Sequence, residues 1–97
     1  MEIGLCRIQL RLHGNHSLKG KRQVARSIID RVRHRFNVSI AEVEDNDKWQ
    51  LLTLGFSCVS NHGGHANEVV STIVQYIMDT SGDAEVLDYQ TQITTAL

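Results

Sequence analysis

Residues 16–36 constrain the fold more than any other stretch, because they have the period of one long amphipathic helix. At 100° per residue, one stripe of this helix is apolar and consists of Leu18, Ala25, Ile28, Ile29, Val32 and Phe36. Ser17 stands directly before the stripe and is a favourable N-cap residue. An amphipathic helix has to bury its apolar stripe against other elements, so the flanking segments decide the fold class.

Those flanking segments predict four strands and a second helix. In residues 3–12, Cys6, Ile8, Leu10 and Leu12 alternate with polar residues, as in a half-buried strand. Residues 38–44 and 51–60 form two further strand-like runs around a polar turn. Residues 66–77 have helical spacing and end before Gly82, and residues 84–93 follow as a strand with Leu87, Tyr89 and Ile93 on one face.

The element order of strand, helix, strand, strand, helix, strand predicts a fold of the α+β class. Right-handed crossovers favour a ferredoxin-like βαββαβ sandwich, in which two helices cover one face of a four-stranded antiparallel sheet of order 4-1-3-2. At 97 residues the whole chain, 1–97, is predicted to be a single domain. Ile3 and Leu5 lie on the opposite phase of the first strand, which either a bulge or a covering partner would explain.

Charge is distributed unevenly along the chain. Residues 16–36 carry seven lysines and arginines against the single acid Asp30, whereas the rest of the chain has three cations and ten acids. No apolar run approaches the ~20 residues of a membrane span, and the N-terminal segment lacks the pattern of a signal peptide. We therefore expect a cytoplasmic protein with no membrane partner, whose local basic patch is available for an anionic partner.

The basic side of the first helix is the candidate binding surface. Its predicted anion- or RNA-binding residues are Lys19, Lys21, Arg22, Arg26 and Arg33. Lysines in the first turn oppose the helix dipole, a tension that a phosphate at the helix N-terminus would relieve. The outward arginines would follow an RNA backbone. In the alternative interpretation the run is a solvated face, neutralised within the chain by Glu44, Asp45, Asp47, Asp79 and Asp83.

Other polar and aromatic residues offer weaker sites for a partner. Arg7 and Arg11 are predicted on the open face of the sheet, where the two central strands have no aromatic ring to stack on bases. Trp49 lies beside the acidic hairpin, where it either contacts a partner or caps the end of the core. These three residues are the possible partner contacts.

Histidines and cysteines give no strong signal for metal or catalysis. His13 and His16 repeat the spacing of His62 and His65, but the fold places the two pairs at opposite ends, so no metal site is predicted unless a dimer or the acids of the hairpin complete one. Cys6 and Cys58 point to the core on adjacent strands, where buried thiols are favoured over a disulfide. No phosphate loop, GxSxG or HExxH motif occurs, so we expect a protein that is not an enzyme and needs no cofactor.

The run SLKGKRQVARSIIDRVRHRFNVSIAEVEDNDKWQ resembles the core signature of the YlxP-like family of small bacterial proteins, and the likeness extends from Ile3 to Ile93. The resemblance implies a ferredoxin-like fold and brings no established activity, cofactor or catalytic residue. It also implies that the gene lies beside genes for translation initiation and ribosome maturation. Such a neighbourhood is an association and does not establish a mechanism. Gly20 departs from the pattern of the family, in which a charged residue is common.

Two functions of different classes follow from these observations. The first is a non-catalytic protein that binds structured RNA, in particular ribosomal RNA, through its basic first helix. The second is a homo-oligomeric interaction or regulatory module, for instance a homodimer, that uses an edge strand or the open face of the sheet and has no role with nucleic acid.

Overall fold

The computed structural model describes residues 1–97 and has the predicted order of elements. The strands are β1 (Glu2–Leu12), β2 (Ser39–Glu44), β3 (Leu51–Ser60) and β4 (Ala84–Thr95), and the helices are α1 (Leu18–Arg35) and α2 (Gly63–Thr80). The sheet order is β2-β3-β1-β4 with every neighbour antiparallel, which is the predicted order read in reverse. The prediction of a ferredoxin-like α+β sandwich is confirmed.

The core lies between the two helices and one face of the sheet. Alternation along β1 and β3 directs eight side chains into it, and α1 and α2 supply most of the others. From α1 these are Ala25, Ile28 and Val32, and from α2 they are Ala66, Val70, Ile73, Val74 and Ile77. The α2 helix packs closely on β1 at Gly4, where a Cβ atom would lie 2.8 Å from Val70 Cγ2. Glycine at this position lets helix and sheet approach.

The helix boundaries have local causes. Ser17 caps α1, as predicted, because its hydroxyl accepts a hydrogen bond of 3.0 Å from the Gly20 N–H. His62 caps α2 in the same way, with Nδ1 accepting from the Gly64 N–H at 3.1 Å. This cap starts α2 at Gly63, three residues before the first apolar residue of its pattern. Gly82, with φ of +62°, follows the helix end as expected of a left-handed glycine.

The predicted core face of β4 was partly wrong. The pairing with β1 shifts between Gln9 and Leu10, so β4 has one extra residue, and Val86 rather than Leu87 lies opposite Leu10. Leu87 is the extra residue and is 48% exposed. Tyr89 lies opposite the core residue Ile8 but is 46% exposed.

The opposite phase of Ile3 and Leu5 is not caused by a bulge. Pairing between β1 and β3 runs without interruption from Glu2 opposite Ser60 to Arg11 opposite Leu51. Ile3 and Leu5 therefore lie on the open face of the sheet, and Val59, 70% exposed, is directly opposite Ile3. This end of the open face carries a small exposed apolar patch.

Candidate anion-binding surface on the first helix

The start of α1 is fixed by a short loop that leaves Lys19 exposed. Asn15 Nδ2 donates to the Ser17 carbonyl at 2.9 Å and also to the Trp49 carbonyl, which ties this loop to the β2–β3 hairpin. The first turn of α1 contains no acidic residue. Lys19 has no carboxylate within 4.0 Å, so its ammonium group faces solvent beside the free N–H groups of the helix.

Lys21 does not belong to this surface, which corrects its assignment as an RNA-binding residue. Its side chain is 2% exposed, and its Nζ lies 2.9 Å from Glu42 Oε2. The same ammonium group donates to the Lys48 carbonyl at 2.8 Å and to the Asp45 carbonyl. Lys21 is thus neutralised within the chain, as the solvated-face interpretation expected, although by Glu42 rather than by the acids named there.

Arg22, Arg26 and Arg33 line one open groove between α1 and β2, of about 400 Å³. Apolar side chains including Ile29 and Ile40 form part of its lining. No carboxylate lies within 4.0 Å of any of the three guanidinium groups, and Asp30 pairs with none of them. Arg33 alone makes an internal hydrogen bond, from Nη2 to the Ile40 carbonyl at 2.9 Å. The structure therefore brings three of the five predicted residues together as unpaired cations.

The remaining arginines of α1 serve the contact with α2. Arg31 donates to Ser27 Oγ at 2.7 Å and to the Thr80 carbonyl at 2.9 Å, so it satisfies an acceptor at the C-terminal end of α2. Arg35 lies over the ring of Tyr76, with 5.1 Å from its Cζ to the ring centre. The predicted binding set left out these two arginines and contained the three that line the groove.

The β2–β3 hairpin places Trp49 near the start of α1. Its side chain is 53% exposed and is not part of the core, so it does not cap the end of the core. The hydrogen bond from the Asn15 side-chain amide to the Trp49 carbonyl keeps this residue on the same end of the molecule as Lys19. A contact of Trp49 with a partner stays a prediction, and the geometry leaves the ring accessible for it.

Arg7 and Arg11 lie on the open face of the sheet, away from the groove. Arg7 pairs with Glu44 at 2.7 Å and also donates to Gln90 Oε1. Arg11 is exposed between Leu51 of β3 and Glu85 of β4 in the register. Because the helices cover the other face, these two residues and the arginines of α1 cannot contact one flat partner surface together.

Asp45 stabilises the hairpin as a carboxylate. It adopts the left-handed conformation, with φ of 60°, and its Oδ2 accepts a hydrogen bond of 2.7 Å from the buried hydroxyl of Thr53. This hydrogen bond, followed by the interaction with Lys48, lowers the pKa of Asp45 below its usual value of 3.8.

We expect the hairpin to lose stability in acid through Asp45. A lowered folded-state pKa stabilises the fold fully above the usual value of 3.8, and the contribution disappears as the pH falls below it through the folded-state value. Urea unfolding of the natural chain and of Asp45→Asn between pH 2.5 and 7 tests this. Asparagine tolerates the left-handed backbone, so the stability difference should shrink toward acid. A constant difference would contradict the assignment.

The histidines lie at separate ends of the sheet, and the two cysteines form no disulfide. His13 pairs with Glu85 at 3.1 Å, whereas His62 caps α2 at the other end of the sheet, and no three potential metal ligands come together. Cys6 lies opposite Phe56 and Cys58 opposite Gly4, so the cysteines are diagonal neighbours, and both are free and buried. Burial raises the pKa of the Cys6 thiol to about 11, which keeps it protonated at neutral pH.

Comparison with known proteins identifies the family. The family described as "protein of unknown function (DUF503)" matches residues 3–91. The chain belongs to this family. It is also 32% identical over 75 residues to the uncharacterized protein YlxP of Bacillus subtilis strain 168, which covers 77% of this chain and 82% of that protein. The resemblance to YlxP-like proteins is confirmed.

One solved structure shows the same fold at low identity. A crystal structure of a candidate chlorite dismutase has a TM-score of 0.52 at 13% identity, with 96% of this chain covered. This chain spans 44% of that protein, so the likeness concerns the fold alone. A dimeric ferredoxin-like protein from an uncultured marine organism has a TM-score of 0.43 at 10% identity and covers 100% of this chain and 97% of its own. No helix here has the length and apolar character needed to cross a membrane.

Proposed function

We propose that this protein binds structured RNA without catalysis, through the outer side of α1. The observation that carries the proposal is that Lys19, Arg22 and Arg26 have neither an ion pair nor a side-chain hydrogen bond within the chain, although Asp30 and Glu42 also line the groove beside α1. Other cations, such as Lys21 and Lys48, are paired. An unpaired cationic stripe fits an anionic partner.

The chemistry of the stripe favours phosphate. Guanidinium groups bind phosphate oxygens through parallel hydrogen bonds. Arg22 and Arg26 are one turn apart on α1, which separates their attachment points by about 6 Å along the helix axis. Lys19 extends the stripe toward the helix N-terminus, where the dipole also favours an anion. The stripe would contact successive phosphates and would give binding that depends on shape and salt.

Reading of base sequence plays little part in this proposal. The groove beside α1 has a lining of aliphatic and charged side chains, and the exposed Trp49 is the one aromatic residue near the helix start. Recognition therefore rests on backbone contacts, which position an RNA but do not select its sequence. The gene neighbourhood implied by the family resemblance favours ribosomal RNA as the source.

The experiment is cosedimentation with purified ribosomal subunits over a series of salt concentrations. The test variant is Arg22→Gln/Arg26→Gln/Arg33→Gln, and the control variant is Arg7→Gln/Arg11→Gln/Lys48→Gln, which removes the same charge from other surfaces. We expect affinity to fall linearly with salt on logarithmic axes, and the test variant to lose about 2 units of that slope, at ~0.7 per phosphate contact. The control variant should keep most of the slope.

Two results would overturn the proposal. If the control variant loses as much binding as the test variant, net charge rather than the α1 surface determines the interaction. If the natural chain does not pellet at low salt, and does not bind a fluorescent RNA hairpin either, α1 is a solvated face. We expect both variants to fold, because none of the substituted residues is buried. Circular dichroism of each variant checks this.

The second candidate function, a homo-oligomeric interaction module without a nucleic-acid role, draws on the sheet. The exposed Leu5 and Val59 and the half-buried Ile3 form an apolar end of the open face, and both edge strands are unpaired on their outer sides. Light scattering at high protein concentration tests this function, because a strict monomer would contradict it.

A further inference from the structure

The two edges of the sheet differ in how they are protected from pairing. β2 has six residues, contains Glu42 and Glu44, and is interrupted by a register shift between them. Short length, charge and bulges are the features by which natural sheets block an edge. β4 has twelve residues, and its segment 89–95, YQTQITT, contains no charge and no proline. The bulge and the acids of β4 lie before residue 89, so segment 89–95 lacks the protection that β2 has.

The outer edge of segment 89–95 presents free backbone groups. Met1 and Ala96 exchange backbone hydrogen bonds, with 2.8 Å from the Ala96 N–H to the Met1 carbonyl and 2.6 Å from the Met1 amino group to the Ala96 carbonyl. Alternation along an antiparallel pair then directs the N–H and C=O groups of Thr91, Ile93 and Thr95 away from β1. Tyr89 follows the same rule, since its outward N–H is bound by the Asp88 carboxylate at 2.8 Å.

The exposed side chains of this strand also favour burial against a partner. Leu87 and Tyr89 are about half exposed beside the free edge, and residues 87–92 are all exposed. The acids of β4, Glu85 and Asp88, are confined to its first half. An occupant of segment 89–95 therefore meets a neutral strand of threonine, glutamine, tyrosine and isoleucine side chains.

We propose that segment 89–95 pairs antiparallel with the same segment of a second copy of this chain, which joins two sheets into one of eight strands. A neutral strand fits another neutral strand, and the chain itself supplies one. A two-fold axis at Gln92 would set Thr91 opposite Ile93 of the second copy, and their outward groups would exchange hydrogen bonds. Asp88 would meet Ala96, so no carboxylate would face another.

This interface is independent of the proposed RNA surface. α1 packs at the β2 side of the sheet and α2 at the β1 and β4 side, so pairing at β4 places the two α1 helices at the outer ends of the joined sheet. The groove lined by Arg22, Arg26 and Arg33 stays open in both copies. Failure of the RNA experiment and failure of this one are therefore separate results.

The first test is sedimentation equilibrium of the natural chain from 10 μM to 1 mM, compared with Thr91→Pro. We expect the average mass to rise from 10.9 kDa toward twice that value. Proline at residue 91 removes an N–H that points away from β1, so the sheet of each copy keeps its ladder while the new pairing loses a donor. The dissociation constant should rise at least about tenfold. Thr91→Ala, which keeps the N–H of residue 91, controls for loss of the threonine side chain.

The second test uses charge at the two-fold axis. Gln92→Lys and Gln92→Asp each place two like charges opposite each other, so each variant alone should be monomeric. A mixture of the two should form a heterodimer, because the charges then attract. Neither substitution touches the core, since Gln92 is exposed on the open face.

The possible outcomes decide the proposal. Weaker association of Thr91→Pro, together with rescue in the lysine and aspartate mixture, supports pairing at β4. A natural chain that stays monomeric at 1 mM overturns it. A dimer that Thr91→Pro and the Gln92 variants do not weaken also overturns it, and would place the interface on the apolar end of the open face.

Discussion

Replacing Lys21 with alanine will lower the free energy of unfolding by about 3 kcal/mol, as expected for a buried ion pair that loses one partner. The measurement is urea unfolding at pH 7 of the natural chain and of Lys21→Ala. The matched control is Lys19→Ala, two residues earlier on α1, which should change stability by less than about 0.5 kcal/mol because its side chain is exposed and unpaired.

The large effect follows from what the ammonium group of Lys21 contacts. The Oε2 atom of Glu42 is buried and accepts no hydrogen bond, so the ammonium group of Lys21 is its ion-pair partner. Removal of Lys21 leaves this carboxylate oxygen without a cation. The carbonyls of Asp45 and Lys48 lose their donor at the same time, so the hairpin is no longer tied to α1. The Glu42 side chain is 22% exposed, so water screens part of the lost interaction. For this reason the expected cost lies at the lower end of the ~3–5 kcal/mol range for buried pairs.

The double variant Lys21→Ala/Glu42→Ala separates the energy of the ion pair from that of the hydrogen bonds from Lys21 to the hairpin carbonyls. With Glu42 also truncated, no buried charge is left unpaired, and the loss should be smaller than the sum of the two single losses by about 1 kcal/mol or more. Additive losses would contradict the pairing. Equal stability of Lys19→Ala and Lys21→Ala would contradict the burial of Lys21.

The contrast between these two lysines shows where the sequence was informative and where it misled. Lys21 precedes Ala25, Ile28 and Val32 at spacings of four, three and four, so its position on the apolar stripe of α1 was visible in the pattern. Its charge led to a surface assignment all the same. The partner that makes burial possible, Glu42, lies on β2, and a helical pattern carries no information on contacts of that range.

The fold was more predictable than the site because hydrophobic periodicity, helix caps and turn residues depend on residues close together in the sequence. Strand alternation in β1 and β3, the Ser17 cap and the glycine after α2 led to the correct order and topology. The extra residue at Leu87 was missed, since a bulge in an edge strand is set by the register against β1. Which arginines of α1 stay unpaired likewise depends on where α2 and β2 place their carbonyl groups.

Gly20→Ala will destabilise the protein by about 1–3 kcal/mol, although alanine normally stabilises a helix relative to glycine by up to ~1 kcal/mol. A Cβ atom at residue 20 would lie 2.2 Å from Asn15 Oδ1. The end of an asparagine side chain can usually move, but this amide is held by the carbonyls of Ser17 and Trp49. Moving it would break the link between the start of α1 and the hairpin.

A double-mutant cycle with Asn15→Ala distinguishes this clash from an ordinary effect of helix propensity. Asn15→Ala alone loses the two hydrogen bonds of the amide and should cost about 1–2 kcal/mol. In that background the obstructing oxygen is gone, so Gly20→Ala should change from destabilising to neutral or stabilising, a coupling of about 1–3 kcal/mol measured by urea unfolding. If Gly20→Ala has the same effect in both backgrounds, Asn15 does not determine the need for glycine. A change of sign would explain in physical terms why this chain has glycine where the family resemblance predicts a charged residue.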